Sequence, residues 1–332
     1  MNARVLVTGH GGFLGAAICR LLVARGYRVR GLARSEYPSA AALGIEAVRG
    51  SINDPEVVDR ATQGVDAIIH TAALAGVWGA ARDYEQTNVV ATQTLLDAAR
   101  RRSVRAFVLT SSPSVTFDGK PQSGIDESAP YPTRWLCDYP RTKALSEKAV
   151  LDANDPGQMN SCALRPHLIW GVGDPHLIPR VIERCRTGRL RCVGDGTNLI
   201  DTVHVENAGL AHVLALERML ENDREASGRA YFITDGEPLA CWEWISTILR
   251  CAGLTPPHRR ISLAAAYRLG AALEILYKTL RIRSEPPMTR FVAAQLGVDH
   301  FFNIDAARQR LGYAPQGDRD ARIEELQRSL QD

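Results

Sequence analysis

The sequence predicts an α/β protein built on a doubly wound parallel sheet, with a smaller, mostly helical region after it. Three observations carry this. Short β-branched runs alternate with helical stretches through the first two-thirds of the chain, a glycine-rich turn joins the first such pair, and the alternation loosens after about residue 165. Parallel strands need crossover connections, usually helices, and those helices cover both faces of the sheet.

Arg4–Thr8, Arg28–Leu32, Ala67–Thr71, Ala106–Thr110 and Cys162–Leu164 have the composition of buried strands. Leu14–Arg25, Pro55–Gln63, Asn88–Arg101 and Arg141–Ala153 carry helical periodicity between them. Residues 1–165 are therefore expected to form a dinucleotide-binding domain, with 199–215 returning to it, and 166–332 a substrate-binding region. Helices are expected near 241–252 and 262–280. No Gly/Ser or charged spacer separates the two parts.

Composition narrows the function. The chain has 332 residues, 45% hydrophobic and 23% charged, and its net charge of +3 is a small difference between 40 basic and 37 acidic residues. No basic stripe interleaved with aromatics is present, so no nucleic-acid partner is expected. No apolar run reaches about 18 residues, so no membrane span is expected. The 7 cysteines form no CxxC pair and no signal peptide precedes them, which suits reduced thiols and a cytoplasmic protein. His167 and His176 lack metal spacing to other ligands, and no metal is expected.

"RVLVTGHGGFLG" places Gly9, Gly12 and Gly15 between a strand and a helix. Gly9 permits the tight turn, Gly12 the approach of a pyrophosphate and Gly15 close packing of helix on strand, while the helix N-terminus favours the anion. Phe13 and Leu14 belong to the same cofactor loop. An acid at the end of the second strand would bond the ribose of NAD. Here Ala33 is followed by Arg34, so NADP(H) is the expected cofactor and NAD(H) the alternative.

"DYPRTKALSEKAV" sets Tyr139 and Lys143 one helical turn apart. A phenol near pKa 10 is a poor acid–base group at neutral pH, and an adjacent ammonium is expected to lower it. "TSSPSV" ends the strand before it, and Ser112, with Ser111 and Ser114 as neighbours, is the expected hydroxyl on the substrate oxygen.

With these residues in hand, the chain resembles the extended short-chain dehydrogenase/reductase superfamily, through "TGHGGFLG", "HTAA", "NVVATQTLLDAA", "TSSPSV", "YPRTK" and "LRPHLIWG". Within it the chain is similar to the 3β-hydroxysteroid dehydrogenase branch. It most resembles the 2-alkyl-3-oxoalkanoate reductases of bacterial long-chain olefin biosynthesis, in "AGVWG", "LRCVGDGTNLIDTVHVENAGLAH", "AYFITDGEPL" and "EPPMTRF". The resemblance implies that Thr71, Ala72 and Ala73 flank the cofactor and that Asn88 opens a helix near the site. It further implies that Pro166 to Ile169 pass beside the nicotinamide. Ser51 and Arg141 depart from the family pattern.

The implied reaction is NADP(H)-dependent reduction of the 3-keto group of a long-chain β-keto acid. The alternative is a 3β-hydroxysteroid or sterol-4-carboxylate 3-dehydrogenase, and a non-catalytic NADP-binding regulator is a third reading. Arg141, His167, Arg180 and His204 are candidates for the carboxylate, and Trp78, Leu273 and Leu276 for the hydrocarbon. The stretch 260–282 is expected to roof an apolar cleft or to rest on a membrane or partner enzyme, and a homodimer is an open expectation.

Overall fold

The computed structural model describes residues 3–331. In chain order its main elements are β1 (Arg4–Thr8), α1 (Phe13–Ala24), β2 (Arg28–Ala33), β3 (Glu46–Arg49), β4 (Ala67–His70), β5 (Ala106–Thr110), α2 (Asp138–Asp152), β6 (Asn160–Pro166), α3 (Val205–Leu220), β7 (Arg229–Ile233), α4 (Leu263–Thr279), α5 (Arg290–Gly297) and β8 (His300–Phe302). The first seven strands make one sheet in the order β7-β6-β5-β4-β1-β2-β3, and every neighbouring pair is parallel. The order reverses at β1, between β4 and β2. Ligands bind outside the carboxyl ends of strands at such a switch point.

Alternation along the strands builds two cores. Val5, Val7, Ile69 and Val108 point to the side covered by Ile18 and Leu22 of α1 and Leu216 of α3. Leu6, Ile68 and Phe107 point to the other side, against Val58 and Leu95. Each such side chain, fully buried, contributes about 1.5–3 kcal/mol. A third cluster, with Trp170, Ile182, Trp242, Trp244 and Ile248, forms the core of the C-terminal region.

Two strands of the main sheet were not anticipated. β3 is an edge strand with no buried residue, so it carries no apolar run to mark it. β7 extends the main sheet beyond the 1–165 and 199–215 ranges marked in the sequence. β6 also runs further than Cys162–Leu164, because all of Asn160–Pro166 is buried. Asn88 lies within a π-helical turn, Glu85–Val90, that runs into the helix Ala91–Arg101, rather than at a helix start.

Candidate active site

The glycine loop is shaped by close backbone contact. Gly9 has φ +70°, and a Cβ there would lie 2.9 Å from the Thr71 hydroxyl and 3.2 Å from the Ala72 nitrogen. A Cβ on Gly15 would lie 2.1 Å from the Gly9 carbonyl oxygen, which no rotamer change relieves. The Gly12 amide donates to that same carbonyl at 2.9 Å. Gly12 caps α1 without a side-chain bond, so the first-turn N–H groups stay available to an anion. Thr71 donates to the Thr8 carbonyl at 2.6 Å and the Ala72 amide to the Thr8 hydroxyl at 3.1 Å, pinning the loop after β4 beside the glycines.

Gly9, Gly12, Phe13, Leu14, Gly15, Thr71, Ala72 and Ala73 line one end of a cleft of about 820 Å³. Ala33, Arg34 and Ser35 close that end. The nearby Glu36 is held by Arg49 at 3.4 Å, whereas exposed Arg34 has no ion-pair partner among the described residues. A glycine cradle beside an uncapped helix start fits a nicotinamide dinucleotide, and the loop after β2 offers a cation where NAD-binding folds place an acid.

Ser112, Tyr139 and Lys143 meet on the same cleft wall. Ser112 ends the β5 loop and shares a hydrogen bond of 2.8 Å with the Ser114 hydroxyl. Tyr139 sits in the first turn of α2, where burial raises its phenol pKa and a hydrogen bond with Ser112 opposes the rise. Lys143, one turn on, donates to the Thr110 carbonyl at 2.6 Å. Burial lowers its ammonium pKa to about 8, with Glu147 acting the other way. The expected depression of the tyrosine by the lysine is therefore corrected: burial dominates the phenol, and the ammonium is engaged by a backbone carbonyl.

Asn88 acts as a brace. Its amide accepts from the Leu74 N–H at 2.8 Å and donates to the Leu74 carbonyl at 3.1 Å and the Thr142 hydroxyl at 3.0 Å, joining the loop after β4 to α2. Pro166, the last residue of β6, and Ile169 just beyond it line the cleft, with Leu168 between them at φ +43°. A leucine in that region is strained by about 1–3 kcal/mol and is kept where surrounding structure imposes it.

His167 also lines the cleft, in a buried pair that local motifs did not reveal. Its Nε2 lies 2.7 Å from Nδ1 of His300, whose Nε2 lies 2.6 Å from the Gln295 carbonyl. A carbonyl only accepts, so His300 carries its proton on Nε2 and accepts from His167, which leaves Nδ1 of His167 as a lone-pair acceptor. Burial holds the His167 pKa well below its usual value and that of His300 down to about 4, so the pair stays neutral. Phe117, Phe291 and Phe302 complete this end of the cleft.

The other substrate candidates stand outside the cleft lining. Arg141 is held by Glu85 at 2.8 Å and Asp138 at 3.1 Å, and Arg180 by Glu285. His204 caps α3, accepting from the Glu206 amide at 3.3 Å, with its ring against Trp170. Trp78 donates to the Ile282 carbonyl at 3.3 Å and packs edge-on against Tyr277. Leu273 is half-buried and Leu276 is 48% exposed. The buried face of α4 is instead Ala266, Gly270 and Glu274, with Glu274 tied to Arg290 at the start of α5.

The comparisons bear on the family and the fold. Residues 6–264 match the model of the 3-beta hydroxysteroid dehydrogenase/isomerase family. A 2-alkyl-3-oxoalkanoate reductase from Shewanella oneidensis is 45% identical over 94% of this chain and 82% of its own. One from Stenotrophomonas maltophilia is also 45% identical, over 94% of this chain and 95% of its own. Among solved structures, MoeE5 in complex with UDP-glucose and NAD superposes with a TM-score of 0.75 at 24% identity, covering 99% of each chain.

Proposed function

The chain belongs to the 3-beta hydroxysteroid dehydrogenase/isomerase family, among the NAD(P)-dependent oxidoreductases of the short-chain dehydrogenase/reductase superfamily, and from that premise we propose a substrate and a division of labour. The protein reduces the 3-keto group of a long-chain 2-alkyl-3-oxoalkanoate to the 3-hydroxy acid, with NADP(H) preferred. The observation that carries this is the meeting of Ser112, Tyr139 and Lys143 on a cleft wall between the glycine cradle and an apolar, phenylalanine-lined end. The names of the two relatives support the β-keto acid.

The glycine loop would hold a nicotinamide dinucleotide, which would supply the hydride. The protein's own groups manage the oxygen. Reduction of a carbonyl develops negative charge on it, and donors aimed there stabilise the transition state. Tyr139 delivers the proton, and Ser112, already bonded to that phenol, donates to the same oxygen. Lys143, protonated at neutral pH, stabilises phenolate once the proton has left and holds Tyr139 in register through α2. Arg34 would meet the 2′-phosphate of NADP(H). Neutral His167 offers an acceptor to the substrate, which suits the O–H of an enol or of the product alcohol better than a carboxylate.

The family description favours one second reading, a 3β-hydroxysteroid dehydrogenase. Cofactor turnover against a panel of 2-alkyl-3-oxoalkanoates and a panel of 3β-hydroxysteroids separates them. Turnover of the keto acids at a kcat/KM at least tenfold above any steroid is expected, and the reverse order would replace the first reading with the second.

A further inference from the structure

Two aromatic rings interlock the cofactor loop with β2. Neither Gly11 nor Gly31 has a positive φ, so no left-handed turn calls for a glycine at either position. Both are instead places where a side chain would meet a ring. A Cβ on Gly31, within β2, would lie 2.3 Å from Cγ of His10. A Cβ on Gly11 would lie 2.1 Å from Cδ2 and 2.2 Å from Cε2 of Tyr37. His10 of the glycine loop thus fills the gap in β2, while Tyr37, after β2, fills the gap in the glycine loop. The two rings meet edge to face, with centroids 5.5 Å apart and planes at 78°. His10 is buried, whereas Tyr37 is half-buried and lines the cleft.

The interlock fixes the loop that follows β2. At one end the Ala33 carbonyl accepts from the Gly50 amide at 2.9 Å. At the other the Tyr37 carbonyl accepts from the amides of Ala40 at 3.0 Å and Ala41 at 3.3 Å, starting the short helix Pro38–Ala42, in which Ala40 is buried. Arg34, Ser35 and Glu36 bridge these two anchors. Glu36 turns to Arg49, leaving Arg34, Ser35 and Tyr37 together along the cleft wall. Among the described residues Arg34 has no ion pair, and neither the Ser35 nor the Tyr37 hydroxyl has a hydrogen-bond partner.

A guanidinium and uncommitted hydroxyls on one short, doubly anchored loop suit a phosphate. Phosphate oxygens accept charge-assisted hydrogen bonds, about twice as strong as neutral ones, whereas a ribose 2′-hydroxyl gains little from a cation. Arg34 and Ser35 are exposed, so the Tyr37 hydroxyl is the one of these donors whose position is set by packing. A ring already pressed on the backbone at Gly11 has little freedom left to lose when it meets a ligand.

We propose that Tyr37 sets cofactor choice together with Arg34: its ring, seated on Gly11, fixes the loop, and its hydroxyl donates to the 2′-phosphate of NADP(H). This role rests on the NADP(H) reading above and adds a second determinant to it. The test titrates the full chain with NADPH, NADH, adenosine 2′,5′-bisphosphate and adenosine 5′-monophosphate, reading dissociation constants rather than turnover. Tyr37→Phe keeps the ring on Gly11 and removes only the donor. It should weaken NADPH and the bisphosphate about tenfold and leave NADH and the monophosphate unchanged. Gly11→Ala displaces the ring and should lower the same preference at least as far, with the circular dichroism of the parent. A Tyr37→Phe variant with the parent's affinities, or one that weakens all four ligands alike, would overturn the proposal. So would a folded Gly11→Ala variant with the parent's preference. Loss of the preference in Arg34→Ala but not in Tyr37→Phe would strike the role of Tyr37 alone. A parent that binds the bisphosphate no more tightly than the monophosphate would strike the NADP(H) reading, and the role of Tyr37 with it.

Discussion

The two ends of the cleft are made in different ways. At the cofactor end the shape comes from missing side chains: Gly9 and Gly15 leave room that a single methyl group would fill with a backbone clash. At the substrate end it comes from side chains brought together over long distances. His167 follows β6, His300 opens β8, and their bond spans 133 residues of sequence. In the proposed reading the first end binds an anion that many proteins share, for which a short run of backbone suffices, and the second recognises one substrate, on which groups from several elements converge.

The difference can be pressed from both sides. The largest effect is expected at the glycines. Gly15→Ala sets a methyl 2.1 Å from the Gly9 oxygen and 2.9 Å from its carbon, both main-chain atoms. Overpacking of this kind costs about 1–3 kcal/mol or more, and titration of NADPH should show affinity reduced at least a hundredfold or lost. Substrate-end variants should leave that titration unchanged.

Acid should act through the buried histidines. Burial lowers the pKa of His70 to about 3 and those of His212 and His300 to about 4, all below the unfolded value of 6.5. In this window the unfolded chain binds more protons than the native one, so the stability they confer is complete above about pH 6.5 and is lost as pH falls toward about 4 for His212 and His300 and about 3 for His70. Urea unfolding at pH 7 and pH 5 should differ by about 1–2 kcal/mol per histidine, and His300→Gln should reduce the slope.

His300→Ala tests the substrate end alone. It removes the acceptor for His167 and releases its tautomer, leaving a buried donor unmatched at a cost of about 1–3 kcal/mol. The kcat/KM for the keto acid should fall tenfold or more while NADPH affinity holds. A smaller effect belongs to Arg34→Ala, which should weaken NADPH by about 1–2 kcal/mol and leave NADH unaltered. Equal loss for both cofactors would assign Arg34 to the loop rather than to the phosphate.

How much of this was legible follows from the same contrast. The glycine loop, Ser112, Tyr139 and Lys143 lie in short runs whose spacing is set by one turn or one helical repeat, and the structure brings them to one cleft. β1 and β5 were legible to the residue because their apolar runs are buried on both faces. The His167–His300 pair was not, since no local pattern records which distant strand a side chain will meet. Arg141 was a carboxylate candidate because its partner Glu85 lies on another helix, although Asp138 lies one turn back on its own. Leu276 looked like a cleft residue because helical periodicity identifies an apolar face without saying what, if anything, covers it.

The central claim is that Tyr139 delivers the proton to the reduced oxygen. Tyr139→Phe keeps the ring and removes only the hydroxyl, and general acid catalysis contributes about 10²–10⁴-fold. The decisive measurement is kcat of this variant with a 2-alkyl-3-oxoalkanoate, alongside its NADPH dissociation constant. A fall in kcat of that size with an unchanged dissociation constant is the predicted result. A variant that retains more than about half of the parent kcat would contradict the account.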